Sequence, residues 1–225
     1  MNMLEVIKAR HSVREYKNIE IPEELVKTIQ NEIDICNQEG GLHIQLLTNE
    51  PQAFSTLLPH YGHFRGVENY IALIGGNTQN ISEKIGYYGE KRGLYIQGLG
   101  LNSCWVGVSF SKNNVRKNCA INDNEKLYCV ISIGYGTTQG NTHKIKNIKE
   151  VYKSKEKQIP QWFINGVEYA LLAPTAMNQQ KFMFELKNKN EVAATASKGF
   201  FSKIDLGIVK YHFELGAGKE NFKWV

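Results

Sequence analysis

Two arginines four residues apart with a hydroxyl between them, in Arg10-His11-Ser12-Val13-Arg14-Glu15-Tyr16, are the residues of this chain best suited to chemistry. In an extended segment Arg10, Ser12 and Arg14 project from one face, because side chains alternate along a strand; in a helix Arg10 and Arg14 still share a face. Guanidinium forks match phosphate oxygens bidentately and a serine adds a neutral donor, so the set reads as an anion clamp for the phosphate end of a cofactor. A solvated basic turn after a helix is the competing reading. Other constellations are thinner. His60-x-x-His63 has a metal-like spacing but no cysteine or carboxylate close by in sequence, and no metal is expected. Cys36, Cys104, Cys119 and Cys129 contain no C-x-x-C pair, which removes zinc ribbons and common cluster spacings and leaves reduced thiols of a cytoplasmic protein. Cys104, between Ser103 and Trp105, reads as core.

The elements that must position the clamp follow from the apolar spacing. Met3 to Ala9 places Met3, Leu4 and Ile7 on one side, as in a short half-buried helix that the clamp closes. Ile21-Pro22-Glu23-Glu24 starts a second helix, with proline and acids at the positive end of the dipole, and Gly40-Gly41 ends it. Strands are expected over 42–47, 70–74, 104–108 and 128–133, with a central helix from about 85 to 98. Gly98-x-Gly100 closes that helix instead of opening one after a strand, so a dinucleotide-binding fingerprint is excluded.

With 225 residues and 42% hydrophobic content, the chain can form one large domain or two small ones around a substantial core. Its net charge of +5 is spread along the sequence, without the clustered basic stripes interleaved with aromatics that nucleic-acid binding would favour. Charges at Glu5, Lys8, Arg10 and Arg14 leave no room for a signal-peptide core, and no apolar run approaches the ~18 residues of a membrane span. A polar, lysine-rich stretch from Gln139 to Gln158 separates two parts, 1–150 and 151–225. The second part restarts at Ile159-Pro160 as the first did at Ile21-Pro22. It continues through a helix around Phe163 to Leu171, the segment Ala173-Pro174-Thr175-Ala176-Met177-Asn178-Gln179-Gln180, a strand over 182–186, and a helix from Asp205 to Gly216. The pattern suggests a weak internal repeat of two half-units.

Arg-His-Ser-Val-Arg, the segment Gly-Leu-Gly-Leu-Asn-Ser-Cys-Trp-Val-Gly, the strand Ile-Ser-Ile-Gly-Tyr-Gly and Ala-Pro-Thr-Ala-Met-Asn-Gln-Gln together resemble the nitroreductase family of flavoproteins. One departure is clear: the Pro-Ser/Thr-x-x-Asn segment, which in the usual members follows soon after the arginine motif, lies here in the second part. The chain therefore looks like the divergent, thermophile-type branch of that family with rearranged motif order. The resemblance implies an α+β fold with a mixed, largely antiparallel sheet flanked by helices, either as a monomer with an internal pseudo-dimer of half-units or as a homodimer. It implies FMN as cofactor and NAD(P)H as co-substrate, with a nitroaromatic, quinone or similar small-molecule electron acceptor. Carried over residue by residue, it puts Arg10 and Ser12 at the phosphate or ribityl end of FMN, with His11 serving the turn, and Arg14 near the pyrimidine edge. A peptide N–H around Val106 or Gly107 would face the ring, and Thr175 and Asn178 would contact the cofactor on a loop fixed by Pro174. Lys144 and Lys146 match the family's late basic position loosely, and a solvated surface run is the competing reading. The flavin would carry the chemistry, with no catalytic side chain required. A noncatalytic flavin store or redox sensor on the same scaffold is the alternative function.

Overall fold

Helix α1, Met3–Ala9, stops one residue before the arginines, and its start is tied reciprocally: Glu5 N–H donates to Asn2 Oδ1 and Asn2 N–H to the Glu5 carboxylate. The computed structural model describes residues 2–55 and 63–225. His60 of the His60-x-x-His63 pair lies outside the described residues. The chain divides into two compact units that interleave in sequence. The first comprises Ala9–Ile81 and Lys91–Thr142, the second Met1–Lys8, Ser82–Glu90 and His143–Val225. All five arginines, at 10, 14, 65, 92 and 116, fall in the first unit, so the second carries its positive charge on lysines alone.

In the first unit, α2 runs over Glu23–Gly40, buries Ile29, Ile33 and Cys36 on one stripe, and ends at Gly41 with φ 61°, a left-handed cap that glycine adopts without strain. Strand β1 covers only Gln45–Leu47, shorter than expected; just ahead of it His43 N–H donates to Ile74 O, and the Asn37 amide holds both main-chain groups of Ile44 at 2.7 and 2.9 Å. β2 (Asn69–Gly76), α3 (Ile81–Gly98), β3 (Asn102–Val106), α4 (Lys112–Asn118) and β4 (Glu125–Gly134) follow. The sheet order is β1-β2-β4-β3 with antiparallel pairing throughout. Tyr70, Ala72, Ile74, Val106, Val130 and Phe110 pack together beside it. Helix α4 was invisible in the periodicity because Val115 is its single buried residue; Ser111 Oγ caps it by accepting from Asn114 N–H.

The second unit holds a mixed sheet of β5 (Tyr152–Ser154), β6 (Phe182–Asn188), β7 (Glu191–Ala196) and β8 (Lys223–Trp224). β6 and β7 pair antiparallel, and the two outer pairs are parallel. The stretch from Gln139 to Gln158 is thus not merely a polar separator: it contributes β5 and a capping box formed by Asn147 and Glu150. Helices α5 (Gln161–Leu171) and α6 (Ser202–Ala217) cover the sheet through Phe163, Phe184 and Phe213, the last two stacked at 4.5 Å. Pro160 precedes α5 with φ −60°, ψ 143°, nearly the angles of Pro22 before α2, φ −54°, ψ 141°.

Within this unit, the 82–90 part of α3 crosses α6 at two glycines in backbone contact. A Cβ on Gly86 would lie 1.9 Å from Ile204 O and 3.0 Å from Ile208 N, while one on Gly207 would lie 1.9 Å from Glu83 O and 2.6 Å from Tyr87 N. The offsets are reciprocal: each glycine faces the carbonyl three residues before the other and the amide one residue after it. Around the crossing, Lys210 binds Glu83 at 2.5 Å, His212 binds Glu90 at 2.8 Å with both side chains fully buried, and Tyr87 donates to Glu214 at 2.6 Å. The fold is α+β, with mixed, largely antiparallel strands flanked by six α-helices among the described residues.

Candidate functional site

After α1 the chain runs extended, held by main-chain bonds on both sides. Val13 N–H donates to Ser103 O, Tyr16 N–H to Arg65 O, Arg65 N–H to Arg14 O, Lys17 N–H to Tyr135 O and Thr137 N–H to Glu15 O. Ser12 bridges Ser103 at the start of β3. Four glycines allow this close approach. A Cβ on Gly66 would meet Tyr16 O at 2.5 Å, on Gly136 the Val13 side chain at 2.8 Å, on Gly140 the His11 Cβ at 2.8 Å, and on Gly134 the Tyr16 ring at 3.0 Å. Tyr16 completes the lock. Its buried hydroxyl donates to Val13 O at 2.8 Å and meets Ser132 Oγ at 2.9 Å, and burial pushes its pKa far up, so it stays a neutral donor.

Arg10, Ser12 and Arg14 all lie close enough to the buried Cys104 thiol on β3 to bear on it. Burial raises the thiol's pKa, while the Arg14 charge, a hydrogen bond from Ser12 and the Arg10 charge each pull it back. The three side chains differ in depth: Arg10 is buried, Ser12 half-buried, and Arg14 exposed. Arg14 has no carboxylate partner among the described residues. The segment is extended, and its two guanidiniums and hydroxyl have the chemistry an anion requires. His11 lies against Gly140. Val106 is buried at the end of β3, paired with Val130, and Gly107 follows it, half-buried.

The remaining sequence-derived candidates all lie in the second unit, and the structure brings them into one knot. Pro174 leads into a 3₁₀ turn at Ala176–Asn178, and Met177, Asn178 and, just beyond the turn, Gln180 have φ of 52°, 53° and 45°. Three non-glycine residues in the left-handed region within four positions are held by dense bonding. Asn178 N–H donates to Thr175 O, and Gln180 N–H to Thr175 Oγ1 at 3.1 Å. Asn178 Nδ2 and Gln180 Nε2 both donate to Lys144 O at 2.7 Å, and Gln180 Nε2 also reaches Asn178 Oδ1 at 2.8 Å. Lys146 donates twice to Gln180, from N to Oε1 and from Nζ to the main-chain oxygen, each at 2.9 Å. Lys146 is thus fixed in place, unlike a freely solvated lysine.

Sequence reasoning missed two participants. Asp205, in the first turn of α6, accepts from Ala176 N–H at 3.0 Å and Gln179 Nε2 at 2.8 Å. Its partners lie 26 and 29 positions away, so no local pattern shows it. Ser132 was read only as an interior strand residue, although Gly134 and Gly136 just beyond it, which lack a Cβ, signalled close approach of another segment. Among the described residues, no group of three or more His, Cys, Asp or Glu is placed to hold a metal ion, and no helix is long and apolar enough to cross a membrane.

A family model described as "Putative TM nitroreductase" matches residues 2–217. Among solved structures, a protein titled a putative nitroreductase from Thermotoga maritima MSB8 is 22% identical, with 98% of this chain and 85% of that one covered and a TM-score of 0.66. A putative nitroreductase in complex with FMN from Exiguobacterium sibiricum 255-15 is 14% identical, covering 67% of this chain and 95% of its own, with a TM-score of 0.54. Another in complex with FMN, from Desulfovibrio desulfuricans, is 15% identical, covering 71% and 99%, also at 0.54. At these identities the likeness is one of fold. No curated protein matches the chain.

Proposed function

Because the chain belongs to the family described as "Putative TM nitroreductase", we propose that it is an FMN-dependent oxidoreductase passing a hydride from NAD(P)H through the flavin to a nitroaromatic, quinone or similar acceptor. The observation that carries this reading is the extended segment itself, locked from both sides by main-chain bonds and close glycines, with Arg10, Ser12 and Arg14 at alternate positions along it. Two solved proteins of the same fold are complexes with FMN. In this reading Arg10 and Ser12 hold the phosphate or ribityl end, and the exposed Arg14 lies at the pyrimidine edge, where a cation favours electron uptake. A main-chain N–H at Val106 or Gly107 orients the ring. Thr175 and Asn178, on the turn entered by Pro174, are a further set of contacts, and Lys144 and Lys146 are their basic neighbours. No side chain is needed as acid or base. The four cysteines are free, which suits a cytoplasmic setting.

The test is direct. Purified protein should be yellow, and NADH or NADPH should bleach it under anaerobic conditions. Initial-rate plots against nucleotide and quinone should be parallel, because the oxidised nucleotide leaves before the acceptor enters. Failure to bind FMN would refute the reading, and a yellow protein that neither nucleotide bleaches would be a flavin store or sensor instead of this enzyme.

A further inference from the structure

Asp205 is buried in the first turn of α6, and its carboxylate accepts from Ala176 N–H and the Gln179 amide, both from the 174–180 turn. Gln179 is held a second time, by Phe200 O at 2.7 Å, just ahead of the same helix. We propose that Asp205 is the positioning residue of this turn, anchoring its left-handed backbone so that Thr175 and Asn178 are presented to the cofactor; the proposal rests on the cofactor contacts assigned above.

The reasoning begins with strain. Met177, Asn178 and Gln180 each occupy a conformation that costs a non-glycine residue energy, and such a turn persists only where its surroundings over-determine it. The Lys144 and Lys146 bonds hold its C-terminal side, at Asn178 and Gln180. Asp205 holds its N-terminal side at Ala176, next to Thr175, and grips Gln179 between the strained residues. Burial pushes the Asp205 carboxyl from 3.8 up to about 6, against the lowering effect of Gln179 and Ala176. An ionised carboxylate at that depth disfavours the folded chain at neutral pH, so the group is poorly explained as a general stabiliser. The acids on neighbouring elements are engaged elsewhere: Glu83 with Lys210, Glu90 with His212, Glu214 with Tyr87 and Trp224, and Glu185 with Lys153. Glu168 on α5 is exposed, as is Lys203 two residues before Asp205.

The experiment compares wild type, Asp205→Asn, Asp205→Ala and the double variant Thr175→Ala/Asn178→Ala. Amide exchange of Ala176 is measured in the apoprotein at pH 8, with FMN dissociation constants from pH 5 to 8 and urea midpoints alongside. Anchoring predicts at least tenfold faster exchange at Ala176 in Asp205→Asn, with FMN binding weakened about tenfold and the urea midpoint at pH 8 held or raised. Asp205→Ala should show the same exchange effect, and wild-type FMN affinity should bend near pH 6 where that of Asp205→Asn does not. Unchanged exchange at Ala176 overturns the proposal. So does FMN affinity that survives Asp205→Asn while falling in the Thr175/Asn178 double variant. Full FMN affinity in the double variant would remove the cofactor role from the turn and from Asp205 together, a failure of the functional reading seen in a separate protein.

Discussion

Replacing Gly207 by alanine puts a methyl carbon 1.9 Å from Glu83 O and 2.6 Å from Tyr87 N, both backbone atoms that cannot rotate away. Carbon–oxygen contacts settle near 3.3 Å, so α6 and the 82–90 part of α3 must part by about 1.4 Å. A gap of that size forfeits roughly half or more of the dispersion energy along the seam. Overpacking typically costs ~1–3 kcal/mol and sometimes more, and the opened seam adds to it. Alanine returns about 1 kcal/mol of helix propensity. The net expectation for Gly207→Ala is a loss of roughly 2–4 kcal/mol, a large share of the ~5–15 kcal/mol that stabilises a domain. Gly86→Ala, with its own 1.9 Å clash at Ile204 O, should cost a similar amount.

The reciprocal contacts couple the two glycines. One separation of the two helices relieves both clashes, so the double variant should lose less than the sum of the singles by at least ~1 kcal/mol. Urea unfolding followed by tryptophan fluorescence reads the right place, since Trp162 and Trp224 lie in this unit and only Trp105 in the other. Gly76→Ala is the control, because its Cβ would meet nothing closer than 3.8 Å. Single losses below ~0.5 kcal/mol, or a strictly additive double variant, would refute the crossing geometry.

Arg14→Ala should weaken FMN about ten- to a hundredfold, the loss of ~1.5–3 kcal/mol from one charge-assisted contact, without moving the urea midpoint of the apoprotein, because Arg14 is exposed; unchanged FMN affinity on titration removes Arg14 from the site. Tyr16→Phe should lower stability by ~1–2 kcal/mol in urea melts, as Val13 O and Ser132 lose their buried hydroxyl partner. Burial raises the thiol pKa of Cys36, of Cys104 and, to about 11, of Cys119, so iodoacetamide at pH 8 should label these three far more slowly in the native protein than in urea, as mass spectrometry would show. Asp205 has a raised folded-state pKa, so its contribution to stability is full below about 3.8 and is lost as pH rises through about 6, by roughly 3 kcal/mol; wild type should fall relative to Asp205→Asn across that window in urea titrations.

Where spacing is periodic, the sequence was readable. The stripe of α2, the apolar runs of β2 and β4 and the arginine segment stand nearly where their residues placed them, since each rests on contacts that repeat every two or about four positions. Elements held by few buried residues were not legible: α4 buries only Val115, and β5 and β8 pair over three and two residues. The Gly86–Gly207 crossing was hidden for another reason. A glycine within a helical pattern reads as a weakness until the backbone that approaches it is known. Of the candidate residues, the arginine pair and its serine stand out in the sequence because they are neighbours there, whereas Asp205 depends on a bond closed across more than two dozen positions.

The two candidate segments share a physical strategy, each within its own unit. The arginine segment is extended and carries long, rotamer-rich side chains whose ordering costs free energy on binding. Its backbone is already fixed by five main-chain bonds and four close glycines, and Arg10 is buried, so a ligand need order little beyond the exposed Arg14 guanidinium. The 174–180 turn is fixed even further. Asn178 commits both ends of its amide to Lys144 and Gln180, and Thr175 accepts from Gln180, so the donors left on these two side chains are the second amide hydrogen of Asn178 and the hydroxyl proton of Thr175. Any ligand that accepts from them meets a turn whose strain and ordering are met on folding and not on binding.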